Sequence, residues 1–230
     1  MSAPQVRKAV RRGLAHEAAD RVRDAIFAGE FPPGAPLKEV DLAASLDVSR
    51  GSVREGLAIL AQEGLIRSQW HRGTTVIDLT PTDIDEVYSV RAALDSLAAR
   101  TAQQRANPEA LAELDRCVDA MAAELGSGNG PRLLALDIAF HDAIYAAAGN
   151  GRLTAAWEAI RSQVHLFQLS RITLGTEHYR ARVVGEHREL AALIRDGDPE
   201  ALGQVAEEHV HSARRTLLEK LAVQVPLTSG

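Results

Sequence analysis

The chain has 230 residues, 46% of them hydrophobic, and a formal net charge of −5. This length and composition predict two globular domains of modest size. A lone cysteine, Cys117, excludes an internal disulfide, and no apolar run approaches the roughly 18 residues that a membrane span requires. Residues 1–12 lack the apolar core of a signal peptide, so the sequence predicts a cytoplasmic protein without membrane contact.

The acidic total hides an uneven distribution of charge. Residues 1–77 contain 11 Lys and Arg against 9 Asp and Glu, whereas residues 78–230 contain 15 against 22. The N-terminal third is therefore the part of the chain that suits a nucleic-acid partner.

The first third of the chain has the pattern of a small DNA-binding domain. Residues 1–14 are interpreted as a flexible basic arm, for which a plain disordered terminus is an equal alternative. A helix is predicted over 16–28, a turn over 29–36, and two short helices on either side of Ser49, which is suited to cap the second one. Residues 65–68 and 74–77 alternate like the strands of a hairpin. Residues 15–78 are thus predicted to form a winged helix-turn-helix domain.

The second of these short helices has one apolar face and one basic face. Val53, Leu57 and Leu60 point inward, while Arg50 and Arg54, one turn apart, project from the other side. A helix of this kind enters the DNA major groove, where Arg can donate two hydrogen bonds to guanine. The alternative is a helix-turn-helix used for packing, with a solvated basic face. The candidate DNA-contacting residues are Ser49, Arg50, Ser52, Arg54, His71, Arg72 and Gly73.

The same stretch resembles the DNA-binding domain of the GntR family of bacterial transcription regulators. The matching segments are 29–34 (GEFPPG), 48–50 (VSR), 53–55 (VRE) and 63–65 (EGL). The resemblance implies that Arg50 and Arg54 read bases or phosphates. The sequence departs from the family at Ser52, Gly56 and Val40, where relatives often have Pro, Ala and Arg.

The remainder of the chain is predicted to be helical. Thr80-Pro81 is a helix-start signal directly after the hairpin. Helices are predicted over 82–104, 108–125, 132–148, 152–173, 178–196 and 199–222. Residues 79–225 should therefore form an all-α antiparallel helical bundle, which makes the fold mainly α.

Four residues with side chains that commonly bind metals fall on the apolar faces of these helices. Asp137 and His141 lie one turn apart on one helix, and His187 and His209 lie on the last two. Each histidine alone would be interpreted as a hydrogen-bonded core residue, because buried polar groups need partners. Together the four predict a site for a divalent metal ion, with zinc favoured and nickel or manganese as alternatives.

This half resembles the FCD domain of the FadR branch of the same family, whose metal-binding members have Asp-x3-His on one helix and two later histidines. The resemblance implies that a small organic acid binds beside the ion. Arg91, on the apolar face of the 82–104 helix, is the candidate anchor for its carboxylate. The alternative is an Arg paired with a structural Asp or Glu. Asn150 and His165 complete the candidate ligand-binding set, although turn chemistry explains Asn150 equally well.

These features predict a DNA-binding transcriptional regulator rather than an enzyme. It would be a repressor that binds a palindromic operator as a homodimer, with operator affinity set by the acid. A second hypothesis makes the metal ion itself the signal. A third, a metal-dependent hydrolase, lacks a general base, because Glu186 and Glu208 point about 100° away from the neighbouring ligands on their helices.

Overall fold

The structure is a computed structural model that describes residues 13–69, 73–173 and 176–224, with the side chains of 176–178 and 224 left out. Contacts divide the chain into two units, Met1–Ile77 and Asp78–Gly230. None of the helices in the described ranges combines the length and hydropathy that a membrane span needs.

The described part of the first unit contains three helices and three strands. They are α1 (Gly13–Phe27), β1 (Pro36–Leu37), α2 (Glu39–Leu46), α3 (Arg50–Gln62), β2 (Ile66–Gln69) and β3 (Gly73–Val76). The sheet is antiparallel with the order β1-β3-β2, and Ile66 pairs with Val76. The hairpin of β2 and β3 was predicted, whereas β1 was missed because two residues are too few for a periodic pattern. Gly13 and Leu14, which were predicted to belong to the flexible arm, lie in α1, and the rest of that predicted arm, residues 1–12, lies outside the described residues.

A tight turn joins α2 to α3. Asp47 adopts a left-handed conformation with φ 52°, and its backbone N–H donates to the carbonyl of Ala43. The backbone N–H of Ser52 then donates to the Ser49 side-chain oxygen at 3.1 Å, which caps α3 as predicted. The turn at Asp47 and the cap at Ser49 thus determine where α3 begins and which residues form its first turn.

Helix α1 packs closely across α3 at Gly56. A Cβ atom at that position would lie 2.8 Å from the carbonyl oxygen of Ala15 and 3.0 Å from the backbone nitrogen of Ala19. The glycine therefore permits an approach of the two helices that a side chain would prevent. The core that surrounds this crossing is formed by Val22, Ile26, Val53, Leu57, Leu60 and Leu65.

The second unit is a helical bundle, as predicted. Its helices in the described ranges are α4 (Pro81–Arg105), α5 (Pro108–Glu124), α6 (Gly130–Ala148), α7 (Gly151–Thr173), α8 (Thr176–Asp196) and α9 (Pro199–Gln224). Each end lies within two residues of the predicted one. Helix α4 packs against α6, α7, α8 and α9, which places its inward face at the centre of the bundle. Thr80 caps α4 by accepting a hydrogen bond from the backbone N–H of Asp83.

The centre of this bundle is unusually polar. The large apolar side chains around it include those of Phe140, Trp157 and Phe167. Eight polar or charged residues in the described part of this unit are at most 5% exposed: Arg91, Asp95, Ser96, Asp137, His141, Ser162, Gln168 and His187. Buried charges of this kind need partners, and their contacts define the site described next.

Candidate metal centre and nucleic-acid interface

Three predicted histidines meet inside the second unit. His141 on α6, His187 on α8 and His209 on α9 each place one potential ligand atom within 4.8 Å of the other two. Asp137, one turn before His141 on α6, lies beside two of them. Packing of α6, α8 and α9 thus brings together side chains separated by up to 72 positions in sequence.

The hydrogen bonds of His187 determine which of its nitrogens carries the proton. Its Nδ1 lies 2.6 Å from the carbonyl oxygen of Val183, which can only accept, so Nδ1–H is the donor. Its Nε2 lies 3.1 Å from Oδ1 of Asp137. These two atoms would repel each other unless a proton or a metal cation lay between them.

His209 is held in the same tautomer. Its Nδ1 donates to Oε2 of Glu186 at 3.1 Å, and its buried Nε2 has no hydrogen-bond partner among the described residues. Burial lowers the pKa of His209 to about 4; the hydrogen bond to Glu186 raises it, while His187 and His141 lower it further. His209 is therefore neutral near pH 7, with its Nε2 lone pair free.

His141 completes the set of imidazoles. Its Nε2 lies 2.9 Å from Nη2 of Arg91, and because a guanidinium has no acceptor, Nε2 must accept. The proton then resides on Nδ1, which lies 3.4 Å from Oδ2 of Asp95. In all three histidines Nδ1 thus faces a protein oxygen, whereas Nε2 faces Asp137 in His187, faces Asp137 and Arg91 in His141, and has no partner among the described residues in His209. This is how metal-binding histidines are oriented by surrounding groups.

Asp137 is ionised and uses both of its oxygens. Oδ1 faces the Nε2 atoms of His187 and His141 at 3.1 and 3.4 Å, and Oδ2 accepts a hydrogen bond from the Tyr179 hydroxyl at 2.9 Å. Burial raises the pKa of Asp137, but the nearby His187 and His141 outweigh burial and hold that pKa well below its usual value. The carboxylate is thus negatively charged inside an apolar bundle.

The three histidines could hold a divalent ion, and Asp137 lies beside two of them. Ligand atoms at about 2.1 Å from a metal lie about 3.0 Å apart at right angles and about 3.4 Å apart in a tetrahedron. The separations of Asp137 Oδ1 from the two imidazole nitrogens, 3.1 and 3.4 Å, agree with both. A cavity of about 10 Å³ lined by His141 and His209 lies beside them, which is the space of one water molecule or ion.

Arg91 is fully buried beside this cluster. Its Nε lies 3.2 Å from Oδ2 of Asp95, so the structural carboxylate considered as an alternative is present. The Tyr145 hydroxyl donates to the other oxygen of Asp95 at 2.7 Å. Nη1 of Arg91 nevertheless has no hydrogen-bond partner in the described parts of the chain. The guanidinium therefore combines an internal ion pair with one unused donor.

The other two predicted ligand-binding residues lie outside the histidine group. Asn150 caps α7, since its side-chain oxygen accepts from the backbone N–H groups of Arg152 and Leu153, as turn chemistry predicts. His165 lies half-buried on α7, where burial and the charge of Arg161 lower its pKa to about 4. Neither residue's position favours a part in holding the ion.

Sequence reasoning missed several residues that orient the site. Asp95 follows Arg91 by four positions, a spacing that would have identified it as the partner. Glu186 was set aside because it points away from His187 on its own helix, yet it reaches His209 on the neighbouring one. Tyr179 carries no signal in the sequence, because an aromatic residue on a helix face is usually part of the core.

The start of α3 forms a basic exposed surface in the first unit. The side chains of Arg50 and Arg54 are 64% and 69% exposed, and Oε2 of Glu39 lies 3.9 and 3.8 Å from them. The Ser49 and Ser52 hydroxyls are 2.9 Å apart at the same end. In the wing, Gly73 has φ 81° at the start of β3, whereas the predicted contacts His71 and Arg72 lie outside the described residues.

Comparison with known proteins agrees with both halves of this architecture. Residues 14–76 match the profile of the bacterial regulatory proteins of the gntR family, and residues 86–212 match the FCD domain. The chain belongs to the GntR family. It is 29% identical over 205 residues to the probable D-xylose utilization operon transcriptional repressor of Paenarthrobacter nicotinovorans, covering 89% of this chain and 88% of that protein.

Two further relatives of this GntR regulator are informative. It is 28% identical over 148 residues to the gluconate operon transcriptional repressor of Bacillus licheniformis, covering 64% of this chain and 60% of that one. A solved GntR structure from Rhodococcus sp. RHA1 superimposes with a TM-score of 0.73 at 27% identity, covering 89% and 97% of the two chains. Family and relatives are transcriptional regulators that bind DNA, which excludes the hydrolase alternative.

Proposed function

We propose that this GntR regulator is a repressor whose operator affinity is set by a small carboxylate bound beside a divalent ion. The ion is held by Asp137, His141, His187 and His209. The observation that supports the proposal is the meeting of three buried histidines, His141, His187 and His209, beside the carboxylate of Asp137. Buried polar groups need partners, and one ion would bind these side chains together.

Zinc is the ion that this donor set suits best, with nickel or manganese as alternatives. When bound, the ion supplies a Lewis-acidic position for a carboxylate oxygen. The buried Arg91 supplies the complementary contact, because its unused Nη1–H can donate to the second oxygen of the same carboxylate. Gluconate, named in one relative's operon, is itself a carboxylate.

A coupling route to DNA follows from chain continuity. Helix α4, which carries Arg91, begins at Pro81, and β3 of the wing ends at Val76. A ligand that binds Arg91 can therefore shift α4, the helix that follows the DNA-binding domain in the chain. Two such domains in a homodimer, present in the cytoplasm, would read the two halves of a palindromic operator. The ligand shifts operator affinity to the extent that it binds one arrangement of α4 better than the other.

Isothermal titration of the chelator-treated full-length protein with zinc chloride tests the metal site. We expect one ion per chain for the wild type and for the matched control His211→Gln, two residues beyond His209 on α9. His187→Gln should lose about 10-fold to 100-fold or more in zinc affinity, since it removes one ligand of the set. Equal zinc affinity of His187→Gln and His211→Gln would contradict the assignment.

Mobility shifts test the regulatory claim. Operator duplexes are selected from a random pool with the zinc-loaded protein, and the bound fraction is then measured with gluconate, lactate and citrate. We expect a palindrome from the selection and a change in affinity of about 5-fold to 150-fold with at least one acid. The same series with Arg91→Met should show no response to acid while operator binding persists. Identical operator affinity with every acid would refute the effector role.

A second candidate function is that the ion itself is the signal. The observation that favours it is that the three histidines by themselves could hold an ion, without an organic ligand to complete the group. Chelator treatment without any acid separates the two: loss of operator binding on chelation and recovery with zinc alone would favour the metal-responsive regulator.

A further inference from the structure

We propose that Arg171 forms a second anion-binding position beside the metal centre, so that the effector carries two anionic groups. The inference rests on the proposed function and narrows its ligand class from carboxylates in general to dicarboxylates and acids with a second negative group. Arg91 and the ion would hold one carboxylate, and Arg171 would hold the other.

The contacts of Arg171 connect it to a proposed metal ligand. Its guanidinium carbon lies 4.9 Å from the centroid of the Tyr179 ring, and the hydroxyl of that ring donates to Asp137 at 2.9 Å. A single aromatic side chain therefore separates Arg171 from the ion site. Stacking on the ring favours the charge of the guanidinium but satisfies none of its N–H groups. Its Nε is buried and has no hydrogen-bond acceptor within the described ranges.

The surroundings of Arg171 are short of negative charge. In the part of the chain that the structure describes, no carboxylate oxygen lies within 4.0 Å of its guanidinium. The ammonium group of Lys220 on α9 instead donates to the carbonyl oxygen of Arg171 at 3.2 Å. Burial and the charge of Arg171 lower the pKa of Lys220. Cations placed this way in a partly buried site favour the binding of an anion.

A buried polar pair joins α4 and α7, the helices that carry Arg91 and Arg171. The Tyr88 hydroxyl on α4 donates to Gln168 at 3.2 Å, and Gln168 lies three residues before Arg171 on α7. The guanidinium carbon of Arg91 lies 6.0 Å from the Tyr88 ring. Burial raises the pKa of the Tyr88 hydroxyl, whereas the positive charges of Arg171 and Arg91 both lower that pKa.

Two guanidinium donors in the bundle lack hydrogen-bond partners among the described residues. Arg91 Nη1 and Arg171 Nε are the only guanidinium nitrogens found both buried and unpartnered in the described residues. Each charge-assisted hydrogen bond of this kind contributes severalfold to binding. A ligand with one carboxylate would leave Arg171 as it is, whereas a ligand with two would satisfy both donors.

Calorimetric titration of the full-length, zinc-loaded protein tests the inference. The probes are malonate, succinate and glutarate, each paired with its half-amide, which keeps length and shape but removes one charge. We expect at least one diacid to bind about tenfold or more tightly than its half-amide in the wild type. Arg171→Met should bring that ratio to about one, and Arg171→Lys should restore part of it. Arg188→Met, at an exposed position on α8, is the matched control and should keep the wild-type ratio.

The outcomes separate this inference from the proposed function. Acids that bind the wild type equally well as diacid and half-amide at all three lengths would overturn the second position and leave the carboxylate effector standing. The inference also fails if Arg171→Met retains the preference for a diacid. If no acid binds at any length, the proposed effector and the second position fall together. Zinc stoichiometry and far-UV circular dichroism of each variant establish that it is folded.

Discussion

Replacing Gly56 with Ala should destabilise the first unit, although alanine is the better helix former. In the middle of a helix this change ordinarily stabilises by about 1 kcal/mol. Here the new Cβ would lie 2.8 Å from the carbonyl oxygen of Ala15, 3.0 Å from the nitrogen of Ala19 and 3.2 Å from the Cβ of Ala18. Two of these neighbours are backbone atoms of α1, so the helices must move apart, and overpacking of this kind costs about 1–3 kcal/mol. We expect a net loss of up to about 2 kcal/mol.

Gly51 provides the control within the same helix. A Cβ there would meet only the Ser49 side-chain oxygen at 3.6 Å, an ordinary contact, so Gly51→Ala should be neutral or stabilise by up to about 1 kcal/mol. Urea unfolding of the full chain, followed by far-UV circular dichroism, measures both variants. A Gly56→Ala protein as stable as Gly51→Ala would refute the close packing of α1 on α3.

Three further changes have expected outcomes. Ser49→Ala removes the acceptor for the Ser52 N–H and should cost about 1 kcal/mol in urea unfolding, whereas Ser49→Asp should keep most of the stability. Arg54→Gln should reduce the slope of log affinity against log salt for operator DNA by about one, and the same change at Arg21, exposed on α1, should leave the slope unchanged. In the folded, metal-free protein the pKa of His209 is about 4, so on acidification the unfolded chain takes up a proton at this residue before the folded protein does. The contribution of His209 to the free energy of unfolding is therefore complete above about pH 6.5 and is lost as the pH falls toward 4. This amounts to about 2 kcal/mol between about pH 7 and pH 5; His209→Asn should flatten the profile by that amount, and an unchanged profile would contradict the shifted pKa.

The elements with strong local signals could be predicted from the sequence. The apolar spacing of Val53, Leu57 and Leu60 and the cap at Ser49 predicted α3, and the signal at Thr80-Pro81 predicted the start of α4. The six helices of the bundle followed from the same periodicity. Strand β1 did not, because its two residues pair with β3 through a contact distant in sequence.

The histidines of the candidate site could be predicted from the sequence, but the residues that form hydrogen bonds around them could not. His141, His187 and His209 were identifiable because an imidazole on an apolar helix face is conspicuous. Glu186 and Tyr179 were not, since their roles depend on how α8 lies against its neighbours. Helical periodicity predicts the face of the helix on which a side chain lies, but it does not predict which residues of a neighbouring helix that side chain contacts.

The hydrogen bonds that orient the three histidines are made entirely by the protein. Val183, Glu186 and Asp95 contact the Nδ1 atoms of the three rings, and the helices around them bury their own apolar faces. Small zinc fingers, by contrast, unfold when their metal is removed. This bundle should therefore remain assembled without the proposed ion, which could then exchange with the surrounding medium, so that its occupancy would follow the supply of metal without loss of the regulator.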